Sequence, residues 1–135
     1  MGNIDVLEVH IREGKFDFSE FFDRCDAYGR SRRLGVKEIN MIQLMIEEVI
    51  VNHILKHASL IEFTIDCEKN SKDVHLDFTY DGAPYNLYTA EREDELSLVI
   101  IKCLTRKCIY KYREQNLLEI WMQLGVGEEA EIIEE

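Results

Sequence analysis

A basic excess is the first thing this chain lacks. Its 135 residues carry 16 Lys and Arg against 27 Asp and Glu, a formal net charge of −11. Proteins that neutralise a nucleic-acid backbone present a basic stripe, so nucleic acid is not the expected partner. A nucleoside triphosphate would likewise need a local cationic patch or a metal. Long apolar runs are also missing. No uncharged stretch approaches the roughly 18–20 residues of a membrane span, and MGNIDVLEVH holds acids where a signal peptide has its apolar region. The expectation is therefore a cytoplasmic protein with no membrane contact. Cysteine is sparse: Cys25, Cys67, Cys103 and Cys108 form no C-x-x-C pair and are expected as reduced thiols. No G-x-S-x-G elbow or Walker-type loop occurs. One proline and seven glycines leave few breaks, while 46% hydrophobic and 32% charged residues suit one ordered domain with a real core.

What is present divides cleanly. Residues 1–127 read as a single domain, and 128–135, EEAEIIEE, as a frayed acidic tail after the Gly125-Val126-Gly127 break. Ile4 to Ile11 alternates as a strand, with Glu8 and His10 on one face and Val9 and Ile11 on the other. Phe16 to Gly29 places Phe18, Phe21, Phe22 and Cys25 at helical spacing. After the basic connector RSRRL comes a long apolar helix, Val36 to His57, with Ile42, Met45, Ile46, Val49, Ile50, Ile54 and Leu55 inward. Ile61 to Glu68 and Val74 to Tyr80 are strands joined by the polar KNSKD turn. Glu95 to Arg106 returns to helix, and Cys108 to Arg113 and Leu117 to Leu124 form a hairpin around Glu114-Gln115-Asn116. The order β-α-α-β-β-α-β-β predicts an α+β two-layer sandwich, with helices on one face of a mixed, mostly antiparallel sheet.

Along the central helix, Glu48, Asn52 and Lys56 stand at i, i+4 spacing, preceded by Asn40. Such steps put side chains on one side of a helix, roughly 5–6 Å apart. A carboxylate, a carboxamide and an ammonium in line suit a magnesium–phosphate site, with Asn52 as metal ligand, Glu48 as base and Lys56 on phosphate. The same line also reads as a plain solvated stripe.

The segment Glu47-Glu48-Val49-Ile50-Val51-Asn52, followed by Lys56-His57-Ala58, resembles the E-x-x-x-N box of the histidine-kinase-like ATPase superfamily. The likeness is greatest to its stand-alone anti-sigma regulatory factor (serine-protein kinase) branch. Asp81-Gly82-Ala83-Pro84-Tyr85-Asn86 resembles that branch's next motif, D-x-G-x-P-F-[DN]. The resemblance spans Leu34 to Leu124 and implies the histidine-kinase-like ATPase fold, with ATP or ADP and Mg as cofactor. It implies Glu48 as catalytic base, Asn52 as Mg ligand and Lys56, Tyr80, Asp81, Gly82, Pro84 and Asn86 around the nucleotide. Partners would be other regulatory proteins, a sigma factor or its antagonist, with a homodimer as a further assembly.

Three departures redirect that expectation. Tyr80 stands where the family's adenine-reading aspartate lies. Asp94-Glu95-Leu96-Ser97-Leu98 replaces the G-G-x-G-L box, so side chains and acids obstruct the helix start that would cradle phosphate. Lys56 takes the place of the family's histidine, with His57 one further. The loop Leu87 to Asp94 is also short for an ATP lid. The expectation is thus a regulatory, protein-binding member with weak or lost nucleotide binding, and the alternative is an active Mg-ATP-dependent serine/threonine kinase.

Other patterns carry less. His53 and His57 have metal-ligand spacing, yet Ile54 follows His53 where a zinc protease has Glu, so packing or capping is expected. Cys103 and Cys108 are expected as buried structural thiols. The aromatics Phe16, Phe18, Phe21, Phe22 and Tyr28 suit a core more than an interface. Trp121 fits either a core or a dimer face.

Overall fold

The structure is a computed structural model that describes residues 6–68, 73–90, 95–124 and 131–135. The KNSKD turn apart from Asp73, the 91–94 end of the lid loop, the Gly-Val-Gly break and the start of the acidic tail lie outside these residues.

Alternation builds the sheet. Strands β1 (Val6–Ile11), β2 (Ile61–Cys67), β3 (Asp73–Tyr80), β4 (Thr105–Arg113) and β5 (Gln115–Gln123) pair antiparallel in the spatial order β1-β2-β3-β5-β4. In β1, β2, β3 and β5 every second side chain faces the core, and β4 alternates only from Cys108, after a bulge at Thr105–Lys107. Register aligns them in rows: Val9, Phe63, Phe78, Leu118 and Tyr110 are successive cross-strand partners, and all are buried. The opposite face is polar, with the row Val6, Asp66, His75, Trp121 and Lys107. There Trp121 stacks on His75 at 4.8 Å and receives the Lys107 ammonium at 5.4 Å. Trp121 therefore belongs to the outer face of the sheet rather than the core.

Helices α1 (Phe18–Ser31), α2 (Val36–Ile46) and α3 (Glu95–Leu104) cover the apolar face. The fold is an α+β sandwich with a mixed, mostly antiparallel sheet, as the element order predicts. Asp17 caps α1 by accepting from the Glu20 N–H at 3.0 Å. The helix ends in a Schellman turn, where Leu34 N–H donates to Gly29 O and Arg33 N–H to Arg30 O. Phe16, Phe21, Phe63 and Phe78 form a chain of tilted and edge-on ring contacts. Phe22 alone of the aromatic group expected on α1 is well exposed, at 43%. No helix among the described residues is long and apolar enough to cross a membrane.

Three elements depart from expectation. The helix predicted from Val36 to His57 is α-helical only to Ile46. A π turn follows at Glu47–Val51, His53 leaves helical geometry at φ −131° and ψ −73°, and a short 3-10 turn spans Ile54–Lys56. The π turn coincides with the β-branched run Val49-Ile50-Val51, whose stiff side chains crowd a regular helix. The second hairpin turns on Glu114 alone, at φ +64°, and Asn116 lies inside β5 with no exposure. Finally, Glu131–Glu134, expected within a frayed tail, is a sixth strand, β6, pairing parallel with β4 at the sheet edge.

Candidate functional site

Glu48 sits on the π turn and Asn52 just beyond it, so the carboxylate and carboxamide meet: Asn52 Nδ2 donates to Glu48 Oε1 at 2.7 Å. The same oxygen accepts the Ser97 hydroxyl at 2.6 Å, from the first turn of α3. Ser97 Oγ is 3.1 Å from His53 Nε2, and His53 Nδ1 is 3.2 Å from the Tyr85 hydroxyl. Ser97 and His53 are 2% and 3% exposed, so the bond between them is buried, while those to Glu48, Asn52 and Tyr85 are partly buried.

The proton arrangement follows from donor supply. Ser97 has one hydroxyl proton, which goes to Glu48, so His53 must donate to Ser97 through Nε2–H. His53 Nδ1 and the Tyr85 hydroxyl form the next bond. Two protons thus point the same way, from His53 to Ser97 and from Ser97 to Glu48. The Glu48 carboxylate oxygen is thus occupied by Ser97 and Asn52.

The second motif is built on the other side of the same junction. Tyr80 ends β3, is 1% exposed, and donates its hydroxyl to Tyr85 O at 2.6 Å. Burial, and then the neighbouring phenols of Tyr110 and Tyr85, raise its pKa far above the usual range, so it stays a neutral phenol. Asp81 turns toward the start of β2, where its carboxylate accepts from the N–H groups of Ser59 at 2.8 Å and Leu60 at 3.1 Å. These bonds, Leu60 first, hold its carboxyl below the ordinary carboxylate range. Gly82 adopts φ +90°, and a Cβ there would lie 2.6 Å from His57 O. Only glycine permits both that backbone angle and that approach. Pro84 is exposed on the same loop, and the Tyr85 ring stacks on His57 at 3.8 Å.

Asn116 fastens this loop. Its Nδ2 lies 3.3 Å from Tyr80 O and 3.2 Å from both Asp81 O and Ala83 O. Its Oδ1 accepts from Tyr85 N–H at 2.7 Å and from the Tyr110 hydroxyl at 2.6 Å. Asn86 closes the loop with Oδ1 on Tyr88 N–H, while its Nδ2 reaches Glu134 on β6 at 2.7 Å.

The fold therefore brings Glu48 and Asn52 together, and places Tyr80, Asp81, Gly82, Pro84 and Asn86 on one loop beside them. Lys56 is exposed on the separate 3-10 turn, because the helix that would align it with Glu48 and Asn52 ends at His53. Asn40 is exposed on α2, before the π turn. His53 and His57 face different partners, and among the described residues no group of three or more His, Cys, Asp and Glu is placed to hold a metal. Sequence reasoning missed Ser97 and Asn116 as site residues. Ser97 had a signal, since the resemblance would set it where the family's box has its third glycine. Asn116 had none, because an asparagine near a hairpin reads as a turn residue. No protein-family model matches the chain, and no curated protein matches it significantly.

Proposed function

We propose that this chain is a regulatory, protein-binding domain of the anti-sigma, histidine-kinase-like ATPase type whose nucleotide site is closed by its own side chains. The observation that carries this reading is the hydrogen-bond chain that links Tyr85, His53, Ser97 and Glu48, with Asn52 on the same carboxylate oxygen. The residues fit an adenine nucleotide poorly. Tyr80 replaces the adenine-reading acid with a buried phenol bonded to its own loop, and Asp81 is turned to the backbone of Ser59 and Leu60. Ser97 adds a side chain where glycine would admit phosphate. A net charge of −11 further disfavours a triphosphate. The domain would act in the cytoplasm on another regulatory protein, of the sigma-factor or antagonist kind.

The alternative is a Mg-ATP-dependent serine/threonine kinase. It draws support from the adjacent Glu48 carboxylate and Asn52 carboxamide, the pair such a site would use as base and metal ligand. A thermal-shift titration with Mg-ADP and Mg-ATP separates the two. Nucleotide at 100 times its dissociation constant stabilises by about 2.7 kcal/mol, which would raise the Tm of a domain this size by several degrees. The expected result is no shift at millimolar nucleotide. A shift that disappears in Asn52→Ala would reverse the assignment in favour of the kinase.

A further inference from the structure

β4 is an unusual strand in this acidic chain. Its nine residues, TRKCIYKYR, hold Arg106, Lys107, Lys111 and Arg113 and no acid. It also lies next to the sheet edge, with β5 on one side and only β6 on the other. β6 pairs with Lys107 to Tyr110, and Lys111 to Arg113 extend beyond its register. The covering segment, EIIE, is acidic and aliphatic, the electrostatic complement of the strand that it covers.

Its hold is slight. Glu135 N–H donates to Tyr110 O at 2.8 Å, Asn86 Nδ2 to Glu134 Oε2 at 2.7 Å, and Lys107 Nζ lies 3.6 Å from Glu131 Oε1. None of the four β6 side chains is buried, and Ile132 is 37% exposed. A strand with no buried side chain gains little from the hydrophobic effect, and a solvent-exposed ion pair adds little more. An edge held this loosely remains a template for main-chain pairing with another strand.

We propose that the outer edge of β4 is the docking site for an extended acidic–aliphatic segment of a partner protein, which adds parallel to β4 and displaces β6. The resident strand supplies the pattern: carboxylates flanking two aliphatic residues, with the first carboxylate opposite Lys107 and further cationic positions at Lys111 and Arg113. A partner strand longer than four residues would also pair along Lys111 to Arg113 and so outcompete the resident one. This inference deepens the protein-binding reading above and rests on it. Its test uses no nucleotide, so failure here leaves the closed nucleotide site standing, and a nucleotide-induced shift leaves this edge standing.

The test uses the full chain carrying Ile133→Pro. Ile133 lies two residues before Glu135, so its N–H faces β4 as that of Glu135 does, and proline removes it. The probe is a fluorescein-labelled peptide of residues 128–135, EEAEIIEE, followed by anisotropy. The expected result is binding to Ile133→Pro at least tenfold tighter than to the unmodified chain. Adding Lys107→Glu and Lys111→Glu should weaken that binding tenfold or more, and the charge-reversed peptide KKAKIIKK should not bind. Glu131→Lys with Glu134→Lys provides a second unseated variant should the proline chain fail to fold. Absence of binding to a folded unseated variant overturns the proposal, as does equal binding of both peptides. A dimer of the unmodified chain that Ile133→Pro dissociates also overturns it, giving the edge to a second copy of this chain.

Discussion

Asn116 is a fully buried carboxamide whose two ends meet three carbonyls, one backbone N–H and one phenol. Removing it leaves several of those groups in the interior without a partner, and each such group costs about 1–3 kcal/mol. Asn116→Ala is therefore expected to destabilise the fold by about 2–4 kcal/mol, read as a lower midpoint in urea with an unchanged slope. Asn116→Asp keeps the Oδ1 acceptor but sets its second oxygen against three buried carbonyls, so it should destabilise at least as much as Asn116→Ala. A loss below about 0.5 kcal/mol, the range of ordinary surface substitutions, would show that the loop holds without this residue. The register explains its position. Ile11, Ile61, Tyr80, Asn116 and Tyr112 occupy one cross-strand row, so the asparagine sits among apolar and aromatic residues beside the Asp81–Tyr85 loop that it bonds. In the sequence it stands two residues after Glu114, and nothing local distinguishes a turn asparagine from a buried one.

At the scale of elements, the connection between α1 and α2 carries a local conflict. Arg33 occupies the left-handed position of the Schellman turn at φ +65°, where an L side chain costs about 1–2 kcal/mol. Glycine relieves that strain but adds freedom to the unfolded chain, worth about 0.4–1 kcal/mol in the opposite sense. Arg33→Gly is thus expected to stabilise by about 0.5–1 kcal/mol in chemical denaturation, and a destabilised variant would mean that the arginine side chain holds the turn. Its neighbour Arg32 is different in kind, since its Nε donates to Cys67 O at 2.7 Å and ties the end of α1 to the end of β2. The elements legible in the sequence were those with a strict period: β1, β2 and β3 alternate, and α1 repeats its aromatics at helical spacing. The π turn was not legible. Glu48 and Asn52 are four apart in either helical geometry, so the spacing that suggested a line through Lys56 could not show where the helix ends.

At the scale of the molecule, the buried apolar residues form one cluster running through both layers. Three thiols report on it from separate elements: Cys25 on α1, Cys67 at the end of β2 and Cys108 on β4, all buried. Burial pushes their pKa values up, to about 12 for Cys25 and about 11 for Cys67 and Cys108, so few thiolates form at neutral pH. Cys103 is exposed on α3, against the expectation of a buried thiol. Titration with Ellman's reagent at pH 8 should release one equivalent at once, lost in Cys103→Ser. The other three should react slowly, with rates that converge as denaturant approaches the unfolding midpoint, because opening a single core exposes all three. Rapid reaction of any buried thiol without denaturant would instead reveal an independently opening layer.

The sequence by itself determined the two layers, because periods of two and of about 3.6 residues dictate which side chains can share a face. That Glu48, Asn52 and the Asp81-Gly82-Ala83-Pro84 turn share one site was implied only by the resemblance to the histidine-kinase-like ATPase motifs. Only the tertiary structure decided what those residues touch. Ser97 is 49 positions from Glu48, Tyr85 is 32 from His53, and Glu134 is 48 from Asn86. Hydrogen bonds over such separations depend on the angle at which α3 and the last strand meet the sheet. No local pattern encodes that angle, because it is set by how the whole apolar face is filled.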